Sequence, residues 1–394
     1  MKDLTRVVHH PMVSLKGFDT LTVPTYRASS IIFDDAQAYA NRKHRGPDGY
    51  TYGLHGTPTT KTLEAQISAL EHAERTVLLP SGQAAITIVF LAVLEPGDKV
   101  LIPDTVYPPV RIFCAQYLAA RGIDHVVYDP LIGGDIAELI DDRTRLIWTE
   151  SPGSTTMEFQ DVPAIVAAAK ARSVLTGCDN TWATPLLFKP LDHGVDFSMQ
   201  ALSKYVGGHS DILMGAVSVK DIDLYTRLKD TGRMIGMGVS PDDCSMVLRG
   251  IETIGVRLAH VGQVAEEFAG RIVDLPGVRQ VLHPSLSDCP GHESWRRDFS
   301  GASGVFTIII TAEAEADLAK ALGQLKTFAI GSSWGGTRSL IAPMSVEGDR
   351  TLRDSKSDMM LRVSIGLEHP DDLWADLAAI FDTFGSASAS GASD

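Results

Sequence analysis

Val77-Leu78-Leu79-Pro80-Ser81-Gly82-Gln83-Ala84, continued by the stretch Ala85 to Leu94 that is apolar on every side, decides how this chain folds. A short apolar run leads into Ser81, a good helix N-cap, and the helix it opens is too apolar to face water, so it must be buried. Further on, the β-rich runs Val100 to Pro103, Val126 to Tyr128, Leu146 to Thr149 and Val174 to Leu175 alternate with helical stretches such as Val162 to Arg172. That alternation predicts an α/β fold with a mostly parallel, doubly wound central sheet. Upstream, Pro58 suits a first helical position and Leu63, Ile67 and Leu70 share one face, which predicts an amphipathic helix from Thr57 onward.

Residues 1–56 are punctuated by proline and glycine and read as an extended N-terminal arm that packs on something else. Residues 57–250 carry the alternating pattern, and 251–384 read as a smaller C-terminal α+β domain, with strands at Val278 to Leu282, Val305 to Ile310 and Leu361 to Ile365 and helices at Glu313 to Leu325 and Pro370 to Phe384. The Ser/Ala/Gly tail 385–394 is too poor in apolar residues to order itself and is expected to be disordered.

A hydrophobic share of 44% over 394 residues is enough for a large core. The formal charge of −14 repels phosphate backbones and anionic lipid, so neither nucleic acid nor membrane is expected as a partner. No secretory pattern opens the chain and no apolar run is of spanning length, which predicts a cytoplasmic protein. The four cysteines lie far apart with no C-x-x-C pair, so no metal site and no disulfide framework is expected.

Three motifs carry chemistry. Ser203-Lys204-Tyr205, ahead of Gly207-Gly208, follows the strand-like Phe197 to Gln200; a lysine held there can be desolvated and its amine made nucleophilic. Cys178-Asp179-Asn180-Thr181-Trp182 places a carboxylate at a strand's C-terminal end, where it can pair with a protonated ring nitrogen. Ser81-Gly82-Gln83-Ala84 offers free amides at a helix N-terminus, a phosphate cradle. Each alone is ordinary: most lysines are solvated, most such aspartates belong to turns, and any N-cap resembles the third. An amide cradle, an Asp and a Lys in that order on successive units of one α/β domain are the arrangement of a pyridoxal 5'-phosphate (PLP) site.

With these motifs in hand the chain resembles the Cys/Met-metabolism family of fold-type I PLP enzymes over nearly its whole length. The matching stretches include Glu71, Leu79-Pro80-Ser81-Gly82, Tyr107-Pro108-Pro109, Glu150-Ser151-Pro152-Gly153-Ser154, Asp179-Asn180-Thr181-Trp182-Ala183, Lys204-Tyr205 and Ser333-Trp334-Gly335-Gly336. The resemblance implies that Lys204 carries the cofactor covalently, Asp179 pairs with the pyridine nitrogen, and Tyr107 stacks on the ring. By the same resemblance Gly82, Gln83 and Ser203 hold the phosphate, and Arg362, helped by Ser333 and Trp334, binds the substrate carboxylate. Tyr52 is implied to reach the phosphate of a neighbouring subunit, in a homotetramer built as a dimer of dimers. Two positions depart from the family: Leu54 stands where an arginine is usual, and Ala201 where many members have serine.

The activity implied is carbon–sulfur β-elimination on a small sulfur amino acid, L-cystathionine giving homocysteine, pyruvate and ammonia. A γ-acting or broader lyase is the alternative, against which Gly153-Ser154 stands where γ-enzymes usually have Asn-Pro. Two other classes remain at this point. Gly331-Ser332-Ser333-Trp334-Gly335 satisfies G-x-S-x-G, with Asp349 and His369 in the order of a hydrolase triad, although an elbow needs a helix directly after its serine. A catalytically idle binding module is the other, argued against by Lys204, Asp179 and Arg362 together.

Overall fold

The computed structural model describes residues 2–8, 13–46, 48–352 and 359–390. Seven strands form the central sheet: β1 (Arg75–Leu79), β2 (Lys99–Pro103), β3 (Asp124–Tyr128), β4 (Thr144–Glu150), β5 (Leu175–Asp179), β6 (Phe197–Ala201) and β7 (Gly215–Val219), in the order β1-β7-β6-β5-β4-β2-β3. Strands β6, β5, β4, β2 and β3 run parallel, and only β7 opposes its neighbours. The sheet is therefore mostly parallel, as expected. Strands β2 and β7 are buried along their whole length, which is why they read as continuous apolar runs.

Helix α1 (Pro58–Glu71) starts at a capping box made by Thr57 and Thr60, with Pro58 at its first position. Helix α2 (Gly82–Val93) is capped by Ser81 and buries Ala85 through Phe90, so its all-round apolar character is explained by burial. Helices α3 (Val162–Lys170), α4 (Ile222–Met234), α5 (Pro241–Ile251) and α6 (Ile254–Ile272) complete the covering layers. The short reading at Val174 to Leu175 is corrected: the strand runs on to Asp179 through Gly177, where an added Cβ would come within 2.5 Å of the Trp148 ring. Glycine there serves packing, not a turn.

The second sheet contains β8 (Val278–Leu282), β9 (Val305–Ile310), β10 (Ala329–Ile330), β11 (Leu340–Met344) and β12 (Met360–Ser364), ordered β10-β11-β12-β9-β8 and antiparallel except for the first pair. The helix expected over Glu313 to Leu325 is two short ones, Ala312–Ala316 and Leu318–Leu322, because the backbone leaves helical geometry at Asp317 (φ −97°, ψ 1°). Helix α7 (Pro370–Ser390) carries on through the stretch expected to be disordered as far as Ser390. Gly385 packs on Pro276, and the alanines beyond it favour helix. Residues 391–394 lie outside the described part.

Three contacts lock the second sheet's domain onto the first and set the cleft between them. Trp182 Nε1 donates to the Val305 carbonyl at 3.1 Å, Gly304 N donates to the Tyr205 hydroxyl at 2.9 Å, and Arg350 reaches Asp104 at 2.8 Å and Glu158 at 2.9 Å. The arm behaves differently. Tyr26 N and the Pro24 carbonyl both bond the Thr59 hydroxyl at 2.8 Å, yet Leu21 is fully exposed and Ile32 is 92% exposed on this chain's own surface.

Candidate active site

Strands β1, β2, β4, β5 and β6 all end at the same edge of the sheet, and each delivers one part of the site. From β1 the chain turns at Ser81 into α2; β2 leads to Tyr107; β4 ends on Glu150, β5 on Asp179, and β6 on Ala201, just before Ser203 and Lys204. The second domain closes the cleft with Ser332 and Trp334 from the loop before β11 and with Arg362 from β12. The enclosed space is about 300 Å³. Placement at the C-terminal edge of a parallel sheet follows from the fold, since every βα connection opens there.

Lys204 Nζ donates to Ser333 Oγ at 2.8 Å and sits 5.2 Å from the centre of the Trp334 ring. Burial and the nearby Arg362 guanidinium bring its amine down to about 8, against the opposing pull of Asp179. The loop bearing Trp334 can lie this close because residue 335 is glycine: its φ is +84°, and an added Cβ would come within 2.9 Å of the Tyr205 amide. Arg362 Nη2 donates to the Ser332 carbonyl, and burial lowers its pKa. No carboxylate partners Arg362 among the described residues, so its fork is open to a substrate carboxylate.

Asp179 accepts from Thr181 N at 2.9 Å. Burial raises its carboxyl above the ordinary value, against the hydrogen bonds of Thr181 and the charge of Lys204. Glu150 faces it directly across the β4/β5 ladder and accepts from Tyr107 N at 2.8 Å. Burial first, and then the Asp179 charge, push Glu150 well above the carboxylate range. Two recessed carboxyls side by side therefore favour one ionised and one neutral member unless a cation lies against them.

At the other end of the cleft, Ser81 Oγ takes the Ala84 amide at 3.0 Å, leaving the Gly82 and Gln83 amides as the free donors of the first turn of α2. A Cβ on Gly82 would meet the Ala201 Cβ at 2.7 Å, so the backbone comes to the cleft wall only as glycine. Gln83 Oε1 is buried without a partner. Ser203 Oγ accepts from Met214 N at 2.9 Å and donates to the Met214 carbonyl at 3.2 Å, a proton that an anion in the cradle could take instead. An oxyanion cradle, a carboxylate opposite it and a lysine with a lowered pKa between them fit PLP in size and polarity.

Gly82, Gln83, Tyr107, Asp179, Ser203, Lys204, Trp334 and Arg362 thus line one cleft, and Ser333 joins it through Lys204. Tyr52 does not; it lies in a separate cavity with Arg42, Lys43, Lys229 and Arg233. The hydrolase reading is corrected: loop, then strand β11, follows Ser333 instead of a helix, and His369 lies 3.7 Å from Asp371 on the exposed surface. Sequence reasoning left out Glu150, Thr181 and Ser332 as site residues. Glu150 stands one position past the expected end of β4, and the signal that finds it is the register that pairs it with Asp179.

A lysine, an aspartate and a helix-borne amide cradle on one sheet edge define an enzyme class that uses PLP. The family description "Cys/Met metabolism PLP-dependent enzyme" matches residues 4–382, and the chain belongs to that family. A putative cystathionine beta-lyase of Rhizobium johnstonii is 42% identical over 95% of this chain and 93% of its own. The cystathionine beta-lyase MetC of Escherichia coli is 38% identical over 90% of this chain and 92% of its own. Among solved structures, cystathionine gamma synthase of Xanthomonas oryzae pv. oryzae, in complex with aminoacrylate and cysteine, superposes with a TM-score of 0.85 at 29% identity, covering 93% of this chain and 94% of that one. The fold is thereby that of fold-type I PLP enzymes, the cofactor is PLP, and the enzyme class is the carbon–sulfur lyases. No helix among the described residues is long and apolar enough to cross a membrane.

Proposed function

We propose that this chain cleaves the Cβ–S bond of L-cystathionine, which with water gives homocysteine, pyruvate and ammonia. The observation that carries the reading is Lys204: its amine, brought down to about 8 by burial and by the charge of Arg362, donates to the Ser333 hydroxyl in the same cleft as the open fork of Arg362. PLP supplies the electron sink that acidifies the substrate's Cα–H and lets the β-substituent leave.

The chain's own residues do the rest. Arg362 binds the α-carboxylate in bidentate fashion, releasing the Ser332 carbonyl, and thereby turns Cα toward Lys204. Lys204 Nζ takes the Cα proton as general base and, once protonated, is held by Ser333 Oγ near the departing sulfur, to which it can return a proton. Tyr107 would lie against the cofactor ring, and Asp179 would pair with its ring nitrogen. Gly82, Gln83 and Ser203 would hold the phosphate. Tyr52 completes the site of a second copy, a homo-oligomeric arrangement supported by the uncovered apolar residues of the arm.

β-Elimination is supported by the two lyase relatives and by the Glu150-Ser151-Pro152-Gly153-Ser154 loop, which is pressed so closely on Thr105 that a Cβ at Gly153 would come within 2.4 Å of it. The likeness to a gamma synthase favours γ-chemistry as the second reading. Incubating the PLP-loaded protein with L-cystathionine separates them: pyruvate and homocysteine in equal amounts support the β-lyase, and 2-oxobutyrate with cysteine selects the γ-acting reading.

A further inference from the structure

Glu150, the last residue of β4, is buried in the wall of the cleft, and no cation is paired with it. Its carboxyl takes a main-chain amide instead, Tyr107 N donating to Oε2 at 2.8 Å. The Glu150 carbonyl accepts from Gln160 Nε2 at 3.0 Å, which fixes the end of the strand that carries the side chain.

Tyr107 depends on that bond. Pro108 and Pro109 follow it without an N–H, so its amide is the sole main-chain donor between Val106 and Val110. Val106 N and Val110 N are spent inside the turn, on the Pro103 carbonyl at 3.0 Å and the Tyr107 carbonyl at 2.9 Å. The Tyr107 residue is 45% exposed, so packing alone does not hold it. Its phenol is raised by burial and then by Glu150 and Asp179, with Arg362 opposing, and therefore shares a field with all three.

Glu150 and Asp179 are direct partners across the β4/β5 ladder, so their side chains share one face of the sheet. The Lys204 charge favours the ionised form of Asp179, whereas Glu150 has no such support. The other titratable groups that act on Glu150 or feel it, the Tyr128 phenol and the Cys178 thiol, are raised as well and stay neutral. A cation at the ring nitrogen can neutralise one carboxylate of such a pair, and the second then keeps its proton.

We infer that Glu150 is a positioning residue for the cofactor, seating Tyr107 against the ring through the Tyr107 amide and leaving the negative charge of the carboxyl pair to Asp179. This rests on the ring placement proposed above, with Tyr107 against the ring and Asp179 at its nitrogen.

The test measures PLP dissociation and the visible circular dichroism of the bound cofactor, which reads the surroundings of the ring. It compares the full chain with Glu150→Ala, Glu150→Gln, Tyr107→Ala and the double variant Glu150→Ala/Tyr107→Ala. Glu150→Ala should raise the PLP dissociation constant about tenfold, the worth of one unsatisfied main-chain donor, and weaken the visible band. Glu150→Gln keeps an oxygen for the Tyr107 amide and carries no charge, so it should restore both to the wild-type values. In Tyr107→Ala the seat has nothing left to place, and adding Glu150→Ala should change little further. Should Glu150→Ala not fold, Glu150→Asp, which draws the carboxyl back by one methylene, takes its place with the same expectations. A Glu150→Gln protein as weak as Glu150→Ala shows that the residue has to be charged and overturns the inference, and so do additive losses in the double variant. Wild-type values in Glu150→Ala, with both readings lost in Tyr107→Ala, overturn the inference and leave the ring placement standing. Wild-type values in Tyr107→Ala overturn the ring placement, and the inference falls with it.

Discussion

Arg350 Nε lies 2.8 Å from Asp104 Oδ2, so the C-terminal domain grips the turn after β2 that leads to Tyr107. Thr351 N and its hydroxyl also bond Asp104, and Arg350 continues to Glu158 at 2.9 Å. Both acidic side chains and the arginine are almost wholly shut off from water.

Removing Arg350 leaves Glu158 without its cation and Asp104 with Arg111 as its remaining ion pair, at 3.1 Å. Arg350→Met is expected to destabilise the protein by about 3–5 kcal/mol, the usual cost of leaving a buried charge unpaired. Adding Asp104→Asn to it should recover part of the loss. Denaturant unfolding of the two singles and the double, read as a mutant cycle, checks this; equal and additive losses would show that the pair is not coupled.

Asp104 also sets an acid limit. Burial alone would raise its carboxyl, but the hydrogen bonds of Arg350 and Thr351 outweigh that and carry it down to about 2. A folded pKa below the unfolded one means that its contribution is complete above the unfolded value of 3.8 and is lost as pH falls toward 2. Acid unfolding of Asp104→Asn, compared with wild type, should show a smaller pH dependence in that window.

Lys204 has the opposite consequence for the cofactor-free protein. Its amine falls from 10.5 to about 8, so the cost of burying the charge is fully present below pH 8 and is relieved as pH rises toward 10.5. The thermal stability advantage of apo Lys204→Met over apo wild type should therefore shrink between pH 7.5 and about 10. A constant difference would mean that the lysine is not desolvated.

Arg362→Lys keeps a positive charge and loses the fork. The expected result is a KM raised about tenfold to a hundredfold with cofactor binding unchanged, the range for losing one charge-assisted hydrogen bond. Loss of cofactor from this variant would move Arg362 out of the substrate site.

Gly82→Ala places a methyl group where 2.7 Å separates it from the Ala201 Cβ. The first turn of α2 must then move away from the cleft, and cofactor retention on dialysis should fall while the fold stays intact by circular dichroism. Unchanged retention would show that the cradle lies elsewhere.

How much the sequence discloses differs between parts of the molecule, for physical reasons. The alternation that gives the parallel sheet is local, and so are the N-cap at Ser81 and the chemistry of Lys204 and Asp179. The opposition of Glu150 to Asp179 depends on strand register, which no single run of residues contains. Past Phe384, α7 meets Pro276 at Gly385, a contact between residues far apart in sequence. Tyr52 and its basic surroundings are assembled from the arm and α4: Arg42, Lys43 and His55 are near it in the chain, whereas Lys229 and Arg233 come to it only through the fold. Arg350 was silent for the same reason: nothing about an arginine in a polar loop announces two buried carboxylates.

Borohydride reduction of the PLP-loaded protein followed by peptide mass mapping shows directly whether Lys204 carries PLP. The expected product is a single pyridoxyl-modified peptide, the one containing Lys204, with no modification in Lys204→Ala. A label on another lysine, or an equal label in the variant, would contradict that assignment.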